Sequence, residues 1–300
     1  MATRHIISIG DFDRNGIDCL LDHAAQIDKK KYDENALSGK ILAVLFFEPS
    51  TRTRMSFESA MARLGGTSLS VGSFEACSMA KGETLADTVR VVSGYADAIV
   101  IRHPKEGAAR LAAEFATVPV INAGDGAGQH PSQTLLDLYT IRQSMPIDGI
   151  DIALIGDLRY GRTAHSLASA LSLYNVRLHT ISPKGLELPA TLAASLAEKG
   201  MEIIEHDDIR DIIDTMDVLY VTRIQRERFP DSASYFNVAS NYRITPELLA
   251  NAKKHLIVLH PLPRVDEIDP RVDESSHARY FEQSRNGVPV RMAMLMQVLP

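Results

Sequence analysis

The sequence predicts an α/β protein of two doubly wound domains, each a mainly parallel sheet flanked by helices. Three observations carry this. Apolar runs of strand length alternate with segments of helical periodicity along the chain. The alternation breaks once, at the polar segment Gln143–Gly149, near the middle of 300 residues, a length suited to two domains. Polar residues gather directly after the predicted strands, where sheets of this kind bind their ligands.

The elements follow in order. Ile17, Leu20, Leu21 and Ala24 recur at helical spacing and open the chain with an amphipathic helix. The apolar run Ile41–Phe47, closed by Glu48-Pro49, reads as a buried parallel strand. Phe57, Ala60, Met61 and Leu64 mark the next helix, which Gly65-Gly66 ends. Strands are expected at Ser68–Val71, Ala98–Ile101 and Val118–Ile121, and then a helix carrying Leu135, Leu138 and Tyr139. Beyond the break, strands are expected at Ile152–Ile155, Arg177–Ile181, Glu202–Ile204, Val218–Val221 and Leu256–Leu259. Leu167, Ala170, Leu171 and Tyr174 mark a helix between the first two of these, and Thr245-Pro246-Glu247 starts a later one. The expected domains are residues 1–145 and 146–285, with a C-terminal helix over about 286–300 packing back on the first.

Composition is that of a globular protein, 45% hydrophobic and 23% charged. The net charge of −6 argues against nucleic acid or an anionic membrane as partner, and makes local arginine clusters telling. Cys19 and Cys77 have neither metal-ligand spacing nor a disulfide framework, which fits a reducing cytosol. No apolar run reaches the length of a membrane span, and the first residues do not form a secretory signal.

Chemistry concentrates after the strands. Ser50-Thr51-Arg52-Thr53-Arg54 stands between a strand and a helix start, where free N–H groups and the helix dipole hold a phosphate. Arginines there oppose the dipole, so a counter-anion explains them better than solvation does. Arg102-His103-Pro104 follows another strand, and the glycine-rich loop Asn122–Gly128 leads to His130 and Gln133 at a helix start. In the second half Arg162, Arg223 and Gln225, and the run His260-Pro-Leu262-Pro263-Arg264, follow strands in the same way. Arg102, Arg162 and Arg223 at strand ends of an acidic chain suggest a cleft for a polyanion, or for two anions side by side. An interaction surface for an anionic partner would instead leave its arginines dispersed.

Two nucleotide readings compete. Gly156–Thr163 has the form G-x-x-x-x-G-R-T, one residue from a P-loop, yet Arg replaces the Lys and the interior residues are bulky. Gly124, Gly126 and Gly128 have the wrong spacing for a dinucleotide fingerprint.

Ser50-Thr-Arg-Thr-Arg54, Arg102-His-Pro, His130-Pro-Ser-Gln133 and His260-Pro-Leu-Pro-Arg264, in this order, resemble the carbamoyltransferases. The likeness runs from about Gly39 to Arg291, and it is nearer to the aspartate-using branch. Ornithine-using members typically carry Ser-Met-Gly and His-Cys-Leu-Pro, where this chain has Thr222-Arg-Ile-Gln225 and His260-Pro-Leu-Pro263. The resemblance implies carbamoyl transfer from carbamoyl phosphate to L-aspartate, a step of pyrimidine synthesis, with no cofactor and no covalent intermediate. It implies that Ser50, Thr51, Arg52 and Thr53 hold the phosphate and that Arg102 and His130 contact the carbonyl oxygen. Gln133 and the backbone at Leu262 and Pro263 would bind the carbamoyl amino group; Arg162 and Arg223, with Gln225 nearby, would take the aspartate carboxylates. Lys81-Gly82-Glu83-Thr84 matches a loop that in the family enters the neighbouring site of a homotrimer. Cys77 stands where that loop usually has serine, so either Ser78 substitutes or Cys77 is the weaker donor. Some family members also bind a separate regulatory chain.

Overall fold

A computed structural model of the chain describes residues 5–71, 77–224 and 242–299. It divides into two compact units, Met1–Tyr139 with Arg285–Pro300, and Thr140–Ser284. The division falls inside a helix, ahead of the polar break at Gln143–Gly149.

In unit 1, β1 (Ile41–Phe46), β2 (Thr67–Val71), β3 (Ala98–His103) and β4 (Val120–Asp125) form a parallel sheet in the order β2-β1-β3-β4. Its helices are α1 (Arg14–Asp28), α2 (Thr51–Arg63), α3 (Leu85–Val92), α4 (Ala108–Phe115) and α5 (Pro131–Ser144). Strands β1, β3 and β4 are buried nearly throughout, which is why they read as unbroken apolar runs. Ala43, Leu45, Ile99, Ile101 and Val120 pack with Leu85 and Val89 of α3 and Ala108, Ala109 and Ala112 of α4. Burying one such large aliphatic side chain stabilises by roughly 1.5–3 kcal/mol.

In unit 2, β5 (Asp151–Ile155), β6 (Arg177–Ile181), β7 (Glu202–His206), β8 (Val218–Val221) and β9 (Ile257–Leu259) form a parallel sheet in the order β7-β6-β5-β8-β9. Helices α6 (Arg162–Leu171), α7 (Ala190–Glu198) and the single turn α8 (Pro246–Leu249) belong to it. Thr245 caps α8 by accepting from Leu248 N, as its Thr-Pro-Glu start predicts. The N-terminal strand edge is tied by charge. Asp151 takes Arg177 Nε at 2.6 Å and His179 Nε2 at 3.0 Å, and Asp217 takes Lys253 Nζ at 2.7 Å.

The last helix, α9 (Tyr280–Val298), starts before the expected residue 286. Two further boundaries differ from expectation. Strand β3 includes Arg102 and His103, because Arg102 O accepts from Phe47 N at 2.9 Å and the pairing continues past a bulge. Strand β4 runs to Asp125, through residues whose polarity reads as loop.

Strand order decides where ligands bind. In unit 1 the chain goes from β1 outward to β2, then returns to lay β3 and β4 on the other side. In unit 2 it goes from β5 to β6 and β7, then returns for β8 and β9. Each order reverses once, between β1 and β3 and between β5 and β8. The carboxyl ends of these strand pairs are the topological switch points, where open α/β sheets leave a crevice.

Candidate active site

The unit 1 switch point is lined by the start of α2 and the end of β3. Ser50 is the N-cap of α2, with extended backbone, and its hydroxyl makes no capping bond. The first bond back to the cap runs from Arg54 N to Ser50 O at 3.2 Å. The N–H groups of Thr51, Arg52 and Thr53 precede it, so they have no intrahelical acceptor. Thr53 is buried, whereas Thr51 and Arg52 are exposed. Protein around the Arg52 head lowers its pKa, although most of its surface is open; the guanidinium remains cationic at neutral pH. Arg54 turns away, with Nε 2.9 Å from Glu58 Oε1. Of the two arginines in the motif, Arg52 is thus the one left for an anion.

Arg102 is buried at the neighbouring strand end. Its Nη1 donates to Ala123 O at 3.2 Å and lies 3.5 Å from His130 Nε2. Its Nη2 donates to Glu48 Oε1 at 3.2 Å. Glu48 stands two residues beyond β1; its place beside the strand-end arginine is visible only once β1 and β3 are paired.

His130 is aimed by a rigid loop. Asn122 Nδ2 donates to Ile7 O at 2.9 Å and to Asp125 Oδ1 at 3.0 Å, while its Oδ1 accepts from Gly124 N at 2.8 Å. Asp125 also accepts from Gln129 N at 2.8 Å and Gly107 N at 2.9 Å. Gly126 sits at φ +51°, where a Cβ would stand 2.7 Å from Pro104 O. No bulkier residue fits that approach. Gln133, just inside α5, donates from Nε2 to Asp137 Oδ1 at 2.8 Å. Arg102 and His130 are therefore in contact, and Gln133 stands one turn into the helix that His130 precedes.

Lys81 is exposed at the end of the short turn Ser78–Lys81 and, among the described residues, bonds to none of these groups. Cys77 is partly buried and Ser78 is exposed. Thr84 caps α3 through Asp87 N at 3.1 Å, and so anchors the end of that loop.

At the unit 2 switch point, β5 ends in Gly156 at φ +116°. Thr222, at the end of β8, bonds across to Ile155 O from N at 2.8 Å and from Oγ1 at 3.0 Å. Arg223 follows it, exposed. Arg162 is the first residue of α6, with Gly161 as N-cap and no side-chain cap bond. Arg162 and Arg223 thus follow two adjacent strands. Gln225 lies outside the described residues.

After β9, His260 Nδ1 accepts from Leu262 N at 2.8 Å, so its proton is on Nε2, which faces Glu267 Oε1 at 2.7 Å. Burial alone would raise the Glu267 pKa. The bond from His260 and the amides of the Val265 turn outweigh it and leave the carboxyl below its usual range. This clamp holds Leu262 at φ +54°, ahead of a cis peptide to Pro263. Gln283 Oε1 fixes the entry to the turn through His260 N at 2.8 Å. Glu267 and Gln283 are supports that strand-end reasoning passes over, because only the folded turn brings them to His260.

Each sheet therefore carries cationic and hydroxyl groups at its switch point, which defines a doubly wound α/β enzyme acting on anionic substrates. Residues 4–143 match the carbamoyl-P binding domain, and residues 148–298 the Asp/Orn binding domain, of aspartate/ornithine carbamoyltransferase. The chain belongs to the aspartate/ornithine carbamoyltransferase family. It is 73% identical over 296 residues to the aspartate carbamoyltransferase catalytic subunit of Methanosphaerula palustris, covering 99% of each. It superposes on the catalytic subunit of M. jannaschii aspartate transcarbamoylase with a TM-score of 0.94 at 52% identity, covering 99% of this chain and 98% of that one. It also matches the Trypanosoma cruzi aspartate transcarbamoylase complexed with carbamoyl phosphate and aspartate, at a TM-score of 0.91 and 40% identity, covering 99% and 95%.

Proposed function

We propose that this chain transfers the carbamoyl group of carbamoyl phosphate to the amino group of L-aspartate, giving N-carbamoyl-L-aspartate and phosphate. The observation that carries the reading is the open start of α2, with its uncapped N–H groups and Arg52, at the same switch point as the Arg102–His130 pair.

The chemistry follows from donors and charge. The deprotonated amine nitrogen attacks the carbonyl carbon. Its electron pair forms the new C–N bond, and the carbonyl oxygen becomes an oxyanion. Collapse breaks the carbon–oxygen bond to phosphate, and the proton shed by the attacking nitrogen passes to the departing phosphate. Ser50, Thr51, Arg52 and Thr53 bind the phosphate and stabilise it as it leaves. Arg102 and His130 stabilise the oxyanion. Gln133 and the backbone at Leu262 and Pro263 bind the carbamoyl amino group. Arg162 and Arg223 bind the two carboxylates of aspartate, with Gln225 beside them. No step needs a side-chain nucleophile; rate comes from proximity and from charge placed in advance.

Lys81 reaches the site of an adjacent chain in a homotrimer, as the loop motif implies. The relatives' description as catalytic subunits supports a separate regulatory partner. The two reducing-type cysteines favour the cytoplasm. An assay with each amino acid tests the reaction: carbamoyl-aspartate forms from aspartate, and turnover of ornithine but not aspartate would overturn the reading.

A further inference from the structure

Arg291, on α9, is a deeply buried cation that the chemistry above does not use. It is 2% exposed, with its guanidinium 5.0 Å from the centre of the Phe57 ring. Phe57 is a buried residue of α2, roughly 9 Å along the axis from Thr51. Gly287, one turn earlier on α9, makes room. A Cβ there would stand 2.0 Å from Arg291 Nη1 and 3.4 Å from Leu136 of α5. The guanidinium thus lies along its own helix, in space that any larger residue would fill.

Burial lowers its pKa to about 9, and the charge of Asp137 opposes that fall, so Arg291 is a cation at neutral pH. Its Nε has no hydrogen-bond partner among the described residues. Asp137 on α5 is fully buried and accepts Gln133 Nε2 at 2.8 Å. One carboxylate therefore answers both the Arg291 charge and the Gln133 amide. The Asp137 side chain is the acceptor in that bond. It commits Gln133 Nε2 to itself and leaves Oε1 as the end of the amide available to a donor. A carbamoyl amino group is such a donor.

Burying a charge costs free energy, and apolar replacements often do as well. Orientation accounts for the arginine better than stability does. We propose that Arg291 is a positioning residue for carbamoyl transfer: through Asp137 it sets which end of the Gln133 amide meets the substrate, and through Phe57 it steadies the helix whose start holds the phosphate. The proposal rests on the assignment of Gln133 and Ser50–Thr53 to carbamoyl phosphate.

The test is a double-mutant cycle on the full chain in its native assembly, with the two substrates varied separately. Arg291→Gln should lower kcat/KM for carbamoyl phosphate by about tenfold or more, with KM for aspartate changed less than about twofold. In a Gln133→Ala background the same substitution should cost less than about twofold, since no amide remains to orient. Asp137→Asn, nearly isosteric, should behave alike and carries the cycle if Arg291→Gln does not fold. Additive losses, or wild-type kcat/KM in a folded Arg291→Gln or Asp137→Asn chain, would overturn the proposal alone. Wild-type kcat/KM in Gln133→Ala would overturn the assignment of Gln133 to substrate, and the proposal with it.

Discussion

A methyl group on Gly156 would stand 2.3 Å from the carbonyl oxygen of Thr222. The ends of β5 and β8 are pressed together there, and the turns bearing Arg162 and Arg223 leave from that contact. Gly156→Ala meets both a backbone clash and a φ of +116°. It should destabilise the protein by about 1–3 kcal/mol or more. Because the displaced turns carry the arginines proposed to bind the aspartate carboxylates, KM for aspartate should rise more than KM for carbamoyl phosphate. Thermal unfolding and paired saturation curves check this; an equal rise in both would place the damage elsewhere.

Arg52 is the cation of its motif that, among the described residues, no carboxylate holds, whereas Arg54 is held by Glu58. Arg52→Ala should reduce kcat by about 10²–10³-fold, the cost of one preorganised charge-stabilising donor. Arg54→Ala should cost far less in rate. Initial-rate kinetics on the two variants decide whether the structural difference between them matters.

Lys81 stands on an exposed turn and is assigned to a neighbour's site. Inactive Lys81→Ala and Arg52→Ala chains, mixed and reassembled, should recover activity, because some sites then draw both residues from intact sources. Mass analysis verifies that mixed trimers formed. Mixed trimers without activity would show that each chain uses its own Lys81.

Asp269 binds Arg271 through its side chain and backbone amide, and Arg243 adds charge; together they pull its pKa from 3.8 to about 2. A carboxylate with a lowered pKa contributes stability in full above about pH 4, and loses it as pH falls through about 2. Asp269→Asn should therefore lower Tm at neutral pH, with the gap from wild type closing between about pH 4 and 2. A constant gap across that range would mean that packing, not ionisation, carries the contribution.

How much of this was legible without coordinates depends on the physical signal each element emits. Strands buried on both faces announce themselves, and Ile41–Phe46, Arg177–Ile181 and Val218–Val221 fall where apolar runs predict them. Ala108–Phe115 is a helix of only eight residues, so its buried alanines repeat over little more than about two turns. Asn122–Asp125 reads as loop because it is polar, yet it continues β4 because those side chains bond one another and the backbone. Strand order leaves no trace in local sequence. The reversals that bring β1 beside β3, and β5 beside β8, are what turn separate strand-end arginines into pairs of neighbours. Glu48, Asp137 and Glu267 went unread for the same reason, since each matters only through a partner that folding supplies.

Helix α9 comes last in the chain, and from Arg285 onward it belongs to unit 1. During synthesis, residues 140–284 are complete in sequence before unit 1 is, and can close their own core first. The segment carrying Ser50–Thr53, though made early, must wait for Arg285 and beyond before the cation beneath it arrives. A chain ending at Ser284 and freed from the ribosome would therefore hold the whole of unit 2 and an incomplete unit 1, its proposed phosphate grip written in sequence but not yet supported.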